Sequence, residues 1–277
     1  MTTGRRILSS RSLLADAQLP AHEAARLLAA ATGRDTLSVL PDEGVASAAA
    51  VRFGELAARR RSGEPLQYLE GTSQFGPVEV AVDPRVLIPR PETEQLWEQV
   101  TALLADRPPQ VIVDLGTGSA NLAIALKHEF PDAAVHAVDV SSDALQVAKA
   151  NVASAGVQVV LHRGDLFDPV PADLRGKVDL VISNPPYIAT TDYAALPDEV
   201  RDHEPAIALF AGRDGMSVLR RIIATAPDWL APGGVLACEI GADQGAALQE
   251  LAAGLNARII EDLSGRDRFL IVQKGTE

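Results

Sequence analysis

The residues with most to offer chemically are Ser183-Asn184-Pro185-Pro186-Tyr187-Ile188. They follow Val178-Asp179-Leu180-Val181-Ile182, an apolar run that reads as a short buried strand. Neither proline can donate to a sheet ladder and each fixes its own φ, so the strand must end there in a stiff turn. That turn carries one amide side chain, exposed carbonyls and one aromatic ring. The side-chain oxygen of Asn184 and the carbonyl of Pro185 can accept both N–H bonds of a planar nitrogen, as in an amide or an aromatic amine. Such a nitrogen is a poor nucleophile because its lone pair is delocalised. Two acceptors would hold it in line with an electrophile and stabilise the positive charge developing on it. Tyr187 can pack against the flat acceptor group, and its ring favours nearby cationic character. Asn184, Pro185 and Tyr187 are therefore the expected catalytic residues, with Pro186 joining them in substrate binding. A proline turn with a capping asparagine is the purely structural alternative.

A second stretch supplies the electrophile's site. Asp114-Leu115-Gly116-Thr117-Gly118-Ser119-Ala120-Asn121 lies between a strand pattern and a helix pattern. Glycines 116 and 118 let the backbone turn tightly and approach a ligand closely. Asp139 ends the next strand, a position that suits ribose hydroxyls in a doubly wound sheet. The dinucleotide fingerprint wants glycine where this chain has Asn121. The D-x-G-x-G pattern fits S-adenosylmethionine better, since that ligand carries no pyrophosphate for the helix N-terminus to hold. Asp165 is placed to reach an adenine amino group and Leu166 to pack on the adenine face, although an ordinary acidic turn explains Asp165 equally well. The expected cofactor-binding residues are Gly116, Thr117, Gly118, Ser119, Ala120, Asp139, Asp165, Leu166 and Asn184.

The elements that must position these residues alternate. Strand patterns occur at Val111–Leu115, Ala134–Val140, Gln158–His162, Val178–Ser183, Gly234–Ile240, Ala257–Leu263 and Phe269–Gln273. Helix patterns fit Glu94–Leu104, Ala120–Phe130, Asp143–Ala153, Met216–Trp229 and Gln244–Leu255. This implies an α/β fold: a doubly wound, mostly parallel, seven-stranded Rossmann-like sheet covered by helices. The link Ser264–Arg268 is too short for a helical crossover, so the last two strands should form an antiparallel hairpin. Residues 1–75 read as a small helical domain, 76–94 as a β-hairpin linker, and 95–277 as the catalytic domain. The helix over about Val45–Arg61 ends in Arg59-Arg60-Arg61, either a solvated helix end beside its negative dipole or a partner-binding patch. Arg90, Glu92 and Glu94 could be ordinary linker charges.

The 277 residues, 47% of them apolar, can build a sizeable core. The net charge of −12 falls almost wholly after residue 75: nine Arg and Lys face eight Asp and Glu before that point, sixteen face twenty-nine after it. A strong negative field opposes unaided binding to phosphate backbones, so no direct nucleic-acid substrate is expected. The five histidines show no metal-ligand spacing, so no metal is assigned. Cys238, the single cysteine, sits in an apolar run and reads as a buried strand residue. Arg5-Arg6 is followed by only a brief apolar stretch, and no long one occurs elsewhere. The expectation is a cytoplasmic monomer with no signal peptide and no membrane span.

Asn-Pro-Pro-Tyr after a D-x-G-x-G strand end resembles methyltransferases that alkylate a planar nitrogen. Over a longer range the chain is similar to the protein-(glutamine-N5) methyltransferases that modify class 1 peptide chain release factors, the HemK/PrmC family. The likeness runs through Pro65-Leu66-Gln67-Tyr68, Gly71, Phe75, Leu87-Ile88-Pro89-Arg90-Pro91-Glu92-Thr93-Glu94, the Asp114 loop and Asn184–Ile188. It continues through Glu204-Pro205, Ala208-Leu209, Gly212–Gly215, Pro232-Gly233-Gly234, Glu239-Ile240-Gly241 and Gln244. The resemblance implies S-adenosylmethionine as methyl donor, the glutamine of the release-factor Gly-Gly-Gln loop as acceptor, and substrate recognition by the helical first domain. It implies that Gly116–Ala120, Asp139, Leu166 and Asn184 hold the cofactor, while Asn184, Pro185, Pro186 and Tyr187 grip the glutamine amide. Two departures stand out: Ala120 replaces a third glycine, and Leu166 stands where some relatives have an aromatic. A ribosomal-protein glutamine methyltransferase shares most of these motifs. An adenine N6 methyltransferase shares the proline turn but not the preceding segments, and a cofactor-binding protein without turnover is left open by Ala120.

Overall fold

The computed structural model describes residues 8–34 and 44–276; Arg5 and Arg6 lie outside them. The chain forms two compact units, one comprising Met1–Thr72 with Pro197–His203 and the other Ser73–Leu196 with Glu204–Glu277.

In the first unit, among the described residues, a two-residue antiparallel pair, β1 (Leu8–Ser9) and β2 (Gly44–Val45), accompanies α1 (Ser10–Asp16), α2 (Ala21–Thr32), α3 (Ser47–Arg61), α4 (Leu66–Glu70) and a short helix over Asp198–His203. Ala24, Leu27, Leu28 and Ala31 recur at helical spacing along α2 and are buried with Phe53, Ala57, Leu66 and Leu69. Gly33, at φ +68°, ends α2 in the left-handed region that glycine enters freely.

The three arginines are neither simply solvated nor an open patch. Arg60 donates through Nε and Nη2 to Glu23 (2.7 and 3.0 Å) and through Nη1 to Glu199 (3.1 Å). Arg61 donates to the Ala17 carbonyl (2.7 Å), and Arg59 pairs with Glu64. The Arg60 side chain is only 16% exposed. Its guanidinium, acting mainly through the hydrogen bonds, holds the Glu23 carboxyl below the usual range. This clasp was not legible in the sequence because Glu199 lies 139 residues from Arg60.

From Ser73 onward the second unit carries the rest of β3 (Thr72–Phe75) and β4 (Val78–Ala81), a two-stranded sheet turning at Gly76-Pro77. The hairpin thus starts four residues before position 76. Helix α5 (Pro91–Leu104) follows, with proline at its first position, where a missing N–H costs nothing. Then come β5 (Val111–Leu115), α6 (Asn121–Glu129), β6 (Ala134–Asp139), α7 (Ser142–Ala155), β7 (Val159–Arg163) and β8 (Val178–Ser183). The chain closes the sheet with β9 (Leu230–Glu239), β10 (Asn256–Glu261) and β11 (Asp267–Gln273).

The seven strands lie in the order β10-β11-β9-β8-β5-β6-β7. Neighbours from β9 to β7 are parallel, and β11 is antiparallel to both β9 and β10, as the short link requires. Strand order reverses between β5 and β8. In open α/β sheets the ligand crevice forms at such a reversal, outside the carboxyl ends of the strands. The Asp114 loop leaves β5 there and Asn184 leaves β8.

Boundaries differ from expectation where a backbone constraint intervenes. Ala120 has φ +65°, so α6 begins one residue later than its apolar pattern suggests. The helix expected over Gln244–Leu255 covers Gly245–Leu251, and Gly254 at φ +90° turns the chain before β10. Strand β9 extends back to Leu230 because Gly233 and Gly234 pair with Lys274. Cys238 is fully buried, and burial pushes its thiol up to about 12. Among the described residues no helix is long and apolar enough to cross a membrane, and no group of three or more His, Cys, Asp or Glu could hold a metal ion.

Arg60→Ala leaves the half-buried Glu23 carboxylate without its guanidinium. It should lower stability by about 1–3 kcal/mol, read as a fall in thermal midpoint. An unchanged midpoint would show that the clasp adds nothing.

Candidate active site

Gly116, Thr117, Gly118, Ser119, Asp139, Asp165, Leu166, Asn184, Pro185 and Pro186 all line one cleft at the reversal between β5 and β8. Its empty space, open mouth included, is about 1230 Å³. Two expected residues do not line it. Ala120 is fully buried beneath the loop, and Tyr187 turns its hydroxyl into the protein.

The cofactor half is a loop held from below. The amides of Gly116 and Thr117 both donate to the Val138 carbonyl (2.8 and 3.0 Å), tying the loop to β6. Gly116 and Gly118 have φ of +73° and +54°, while a Cβ on either would meet nothing within 4 Å. Conformation rather than space calls for glycine there. Asp139 accepts the Gly118 amide on Oδ2 and the Ser141 amide on Oδ1, both at 2.9 Å. Burial nevertheless raises its carboxyl above the usual range. Asp114, buried under the loop, accepts from the Thr117 hydroxyl at 2.6 Å, and burial pushes it up to about 7. Asp165 is half-exposed and pairs with Arg221 (2.8 Å), so one of its oxygens is already engaged. Leu166 stands at φ +48°, an unusual conformation for a branched side chain.

The donor set decides which cofactor fits. Three acidic residues, Asp114, Asp139 and Asp165, line the cleft with Arg85, and Asp165 is already paired with Arg221. Arg85 is forked onto Asp83 through Nε (2.9 Å) and Nη2 (2.6 Å). Such a site repels a pyrophosphate and attracts a cationic ligand bearing a ribose diol. S-adenosylmethionine, with its sulfonium and ammonium groups, matches it.

The acceptor half is built around a chain of hydrogen bonds. Asn184 Nδ2 donates to Thr93 Oγ1 (2.9 Å), Thr93 Oγ1 donates to Glu239 Oε2 (2.6 Å), and the Tyr187 hydroxyl donates to Glu239 Oε1 (2.9 Å). The planar Asn184 amide therefore presents its other end, Oδ1, as an acceptor. Glu239 is 1% exposed, and burial raises its carboxyl above the usual range. Burial, with the neighbouring Glu239 charge, likewise pushes the Tyr187 phenol upward, so it stays a donor at neutral pH. Gln244 fastens the far side of the turn: Nε2 donates to the Tyr187 carbonyl (2.9 Å) and Oε1 accepts the Gly241 amide (2.9 Å). A Cβ on Gly215, at φ +70°, would lie 2.2 Å from that same Tyr187 carbonyl, so only glycine fits.

Thr93, Glu239 and Gln244 had no role in the sequence reading, although all three lie in the segments that carry the resemblance. Their only signal was position: Thr93 inside the Pro89–Glu94 segment, and a lone glutamate ending an apolar strand. Arg90 is not a linker charge, since its Nη2 donates to both oxygens of Glu204 (2.5 and 2.6 Å), whose side chain is 1% exposed. Glu92 and Glu94 occupy the first turn of α5, where the helix dipole favours acids.

Sheet order, glycine loop and acidic crevice define an S-adenosylmethionine-dependent methyltransferase of the Rossmann-like class. The methyltransferase small domain profile matches residues 96–197, and the PrmC N-terminal domain profile matches residues 8–71. A Pyrococcus furiosus methyltransferase of known structure shares the fold, with a TM-score of 0.53 at 20% identity, covering 79% of this chain and 97% of that one. The release factor glutamine methyltransferase of Thermosynechococcus vestitus is 46% identical over 76% of this chain and 74% of its own length. That of Streptomyces coelicolor is 40% identical over 94% of each chain. The chain belongs to the release factor glutamine methyltransferase family.

Ala120 carries a left-handed φ that costs an L-residue about 1–2 kcal/mol, partly offset by glycine's greater freedom when unfolded. Ala120→Gly should therefore stabilise the protein by about 0.5–1 kcal/mol, read from a denaturation midpoint, with cofactor affinity retained. A fall in midpoint would show that packing of the buried methyl group outweighs its strain.

Proposed function

We propose that this protein transfers a methyl group from S-adenosylmethionine to the side-chain amide nitrogen of the glutamine in the Gly-Gly-Gln motif of class 1 peptide chain release factors. The observation that carries this reading is the turn after β8, where Asn184 and Pro185 line the cleft and Asn184 Nδ2 is held on Thr93, leaving Oδ1 free to accept. The glutamine amide has two N–H bonds and the turn has two acceptors. Once both are received, the amide plane is fixed and the nitrogen lone pair is aimed at the methyl carbon. S-adenosylmethionine supplies an electrophilic methyl on a sulfonium. As the C–N bond forms, the C–S bond breaks and its electron pair passes to sulfur, leaving S-adenosylhomocysteine. The nitrogen, positively charged for that moment, is stabilised by the two acceptors and gives up one proton to water, so no strong general base is needed.

In this reading Gly116, Thr117, Gly118 and Ser119 form the cofactor loop, over the buried Ala120. Asp139 receives the ribose hydroxyls, while Asp165 and Leu166 contact adenine. Pro186 stiffens the turn, and Tyr187 serves as an anchored wall for the flat amide. Residues 1–75 recognise release-factor surface away from the loop, 76–94 link the two parts, and 95–277 carry out catalysis. The protein acts as a cytoplasmic monomer, where its translation substrate is found.

The full chain with labelled S-adenosylmethionine should label a release factor, and changing the Gly-Gly-Gln glutamine to alanine should abolish labelling. Label entering only a ribosomal protein or DNA would overturn the assignment. Asn184→Ala should lower kcat by about 10²–10³-fold, the loss expected for one transition-state hydrogen-bonding group, with the circular dichroism spectrum unchanged. Near-normal turnover in that variant would remove the mechanism.

A further inference from the structure

We infer that Thr93 and Glu239 form a positioning pair that sets which end of the Asn184 amide faces the acceptor nitrogen, while Glu239 also anchors Tyr187. The inference rests on the reading that Asn184 receives the glutamine amide.

The two ends of an asparagine amide have nearly the same shape but opposite chemistry. In one orientation Asn184 offers oxygen to an incoming N–H. In the other it offers NH₂ to NH₂, and both donors go unpaired. Contact with a hydroxyl cannot choose between them, because a hydroxyl both donates and accepts. The choice comes from Glu239. An ionised carboxylate only accepts, so the Thr93 proton must point at Oε2 (2.6 Å), and the lone pair left on Thr93 Oγ1 can only accept. Asn184 must then present Nδ2 to Thr93 (2.9 Å), which leaves Oδ1 for the substrate. The second Glu239 oxygen receives the Tyr187 hydroxyl (2.9 Å), so one buried carboxylate orients both residues flanking the proline pair.

The arrangement depends on charge. The ionisable groups facing Glu239 are Glu92 from α5, Tyr187 from the turn after β8, and Arg268 from β11. Arg268 favours the ionised carboxylate, whereas Glu92 and burial disfavour it. A proton on Oε2 would have to be donated to Thr93. The relay would then reverse, and Asn184 would turn its oxygen inward and its NH₂ to the substrate. Because burial raises the Glu239 carboxyl, turnover should be full at higher pH. It should fall as pH drops through that raised value, above the ordinary glutamate range.

The test uses the full chain, full-length release factor and labelled S-adenosylmethionine. Thr93→Val, which keeps the volume and removes the hydroxyl, should lower kcat by about 10–100-fold, while cofactor Kd and substrate KM stay within about twofold. Thr93→Ser, which restores the hydroxyl, should recover most of that loss. Glu239→Gln should lower kcat and abolish the acid limb of the kcat–pH profile. A second measurement needs no substrate. The chain has only four asparagines, so selective ¹⁵N-asparagine labelling resolves the Asn184 side-chain amide. Its proton signals should shift and broaden in Thr93→Val and return in Thr93→Ser. Wild-type turnover in Thr93→Val, or a Thr93→Ser variant as impaired as Thr93→Val, would overturn the positioning role, as would an acid limb that persists in Glu239→Gln. If the wild type fails to label any release factor, the substrate assignment falls, and the Asn184 amide signal still decides whether the pair orients it.

Discussion

A buried carboxylate must have its charge and lone pairs met, and Glu239 meets them by ordering everything near the acceptor turn. The parallel register of β8 and β9 places Ser183 beside Cys238, so the next residues, Asn184 and Glu239, leave adjacent strands side by side. Thr93, in the first turn of α5, fills the gap between them. Proline at the start of that helix fixes its entry, and the Arg90–Glu204 pair ties the segment before it to the chain beyond the turn. Gln244 and Gly215 close the other side, one by hydrogen bonds to the Tyr187 carbonyl and the other by having no Cβ to collide with it. The turn is rigid because four separate stretches of chain hold it.

The two halves of the cleft do different electrostatic work. On the β5 and β6 side Arg85 is met by Asp83 and Asp165 by Arg221, so the carboxyl groups of Asp114 and Asp139 leave an acidic balance that favours a cationic donor over a phosphate-bearing one. On the β8 side the exposed groups are neutral acceptors, and the one buried charge lies behind them. In the proposed reaction a planar amide nitrogen that turns positive during transfer would be stabilised by acceptor dipoles on this side. The sheet supplies both halves at once, since strand order reverses between β5 and β8.

Much of this architecture was legible in the sequence. Alternating strand and helix patterns gave the parallel sheet, and the five-residue link Ser264–Arg268 gave the antiparallel end. The glycine pair and the double proline marked the two loops that meet. What escaped were features that depend on partners distant in sequence. Thr93 and Glu239 are 146 residues apart, Arg90 and Glu204 are 114 apart, and Arg60 and Glu199 are 139 apart. A threonine in a proline-rich segment and a glutamate at a strand end each have ordinary local explanations. Only the fold shows that one donates a hydrogen bond to the other. Ala120 illustrates the opposite case: it was visible as a departure from glycine, but its consequence, a left-handed residue fully buried beneath the cofactor loop, needed the backbone geometry.

The proposed transfer requires Asn184 Oδ1 and the Pro185 carbonyl to receive the acceptor amide together. The most direct measurement is a crystal structure of the protein with S-adenosylhomocysteine and a release factor whose Gly-Gly-Gln loop is intact. The glutamine nitrogen should lie within about 2.7–3.2 Å of both oxygens, with Asn184 Nδ2 still on Thr93. A glutamine amide bound elsewhere, or one facing the Nδ2 end of Asn184, would contradict it.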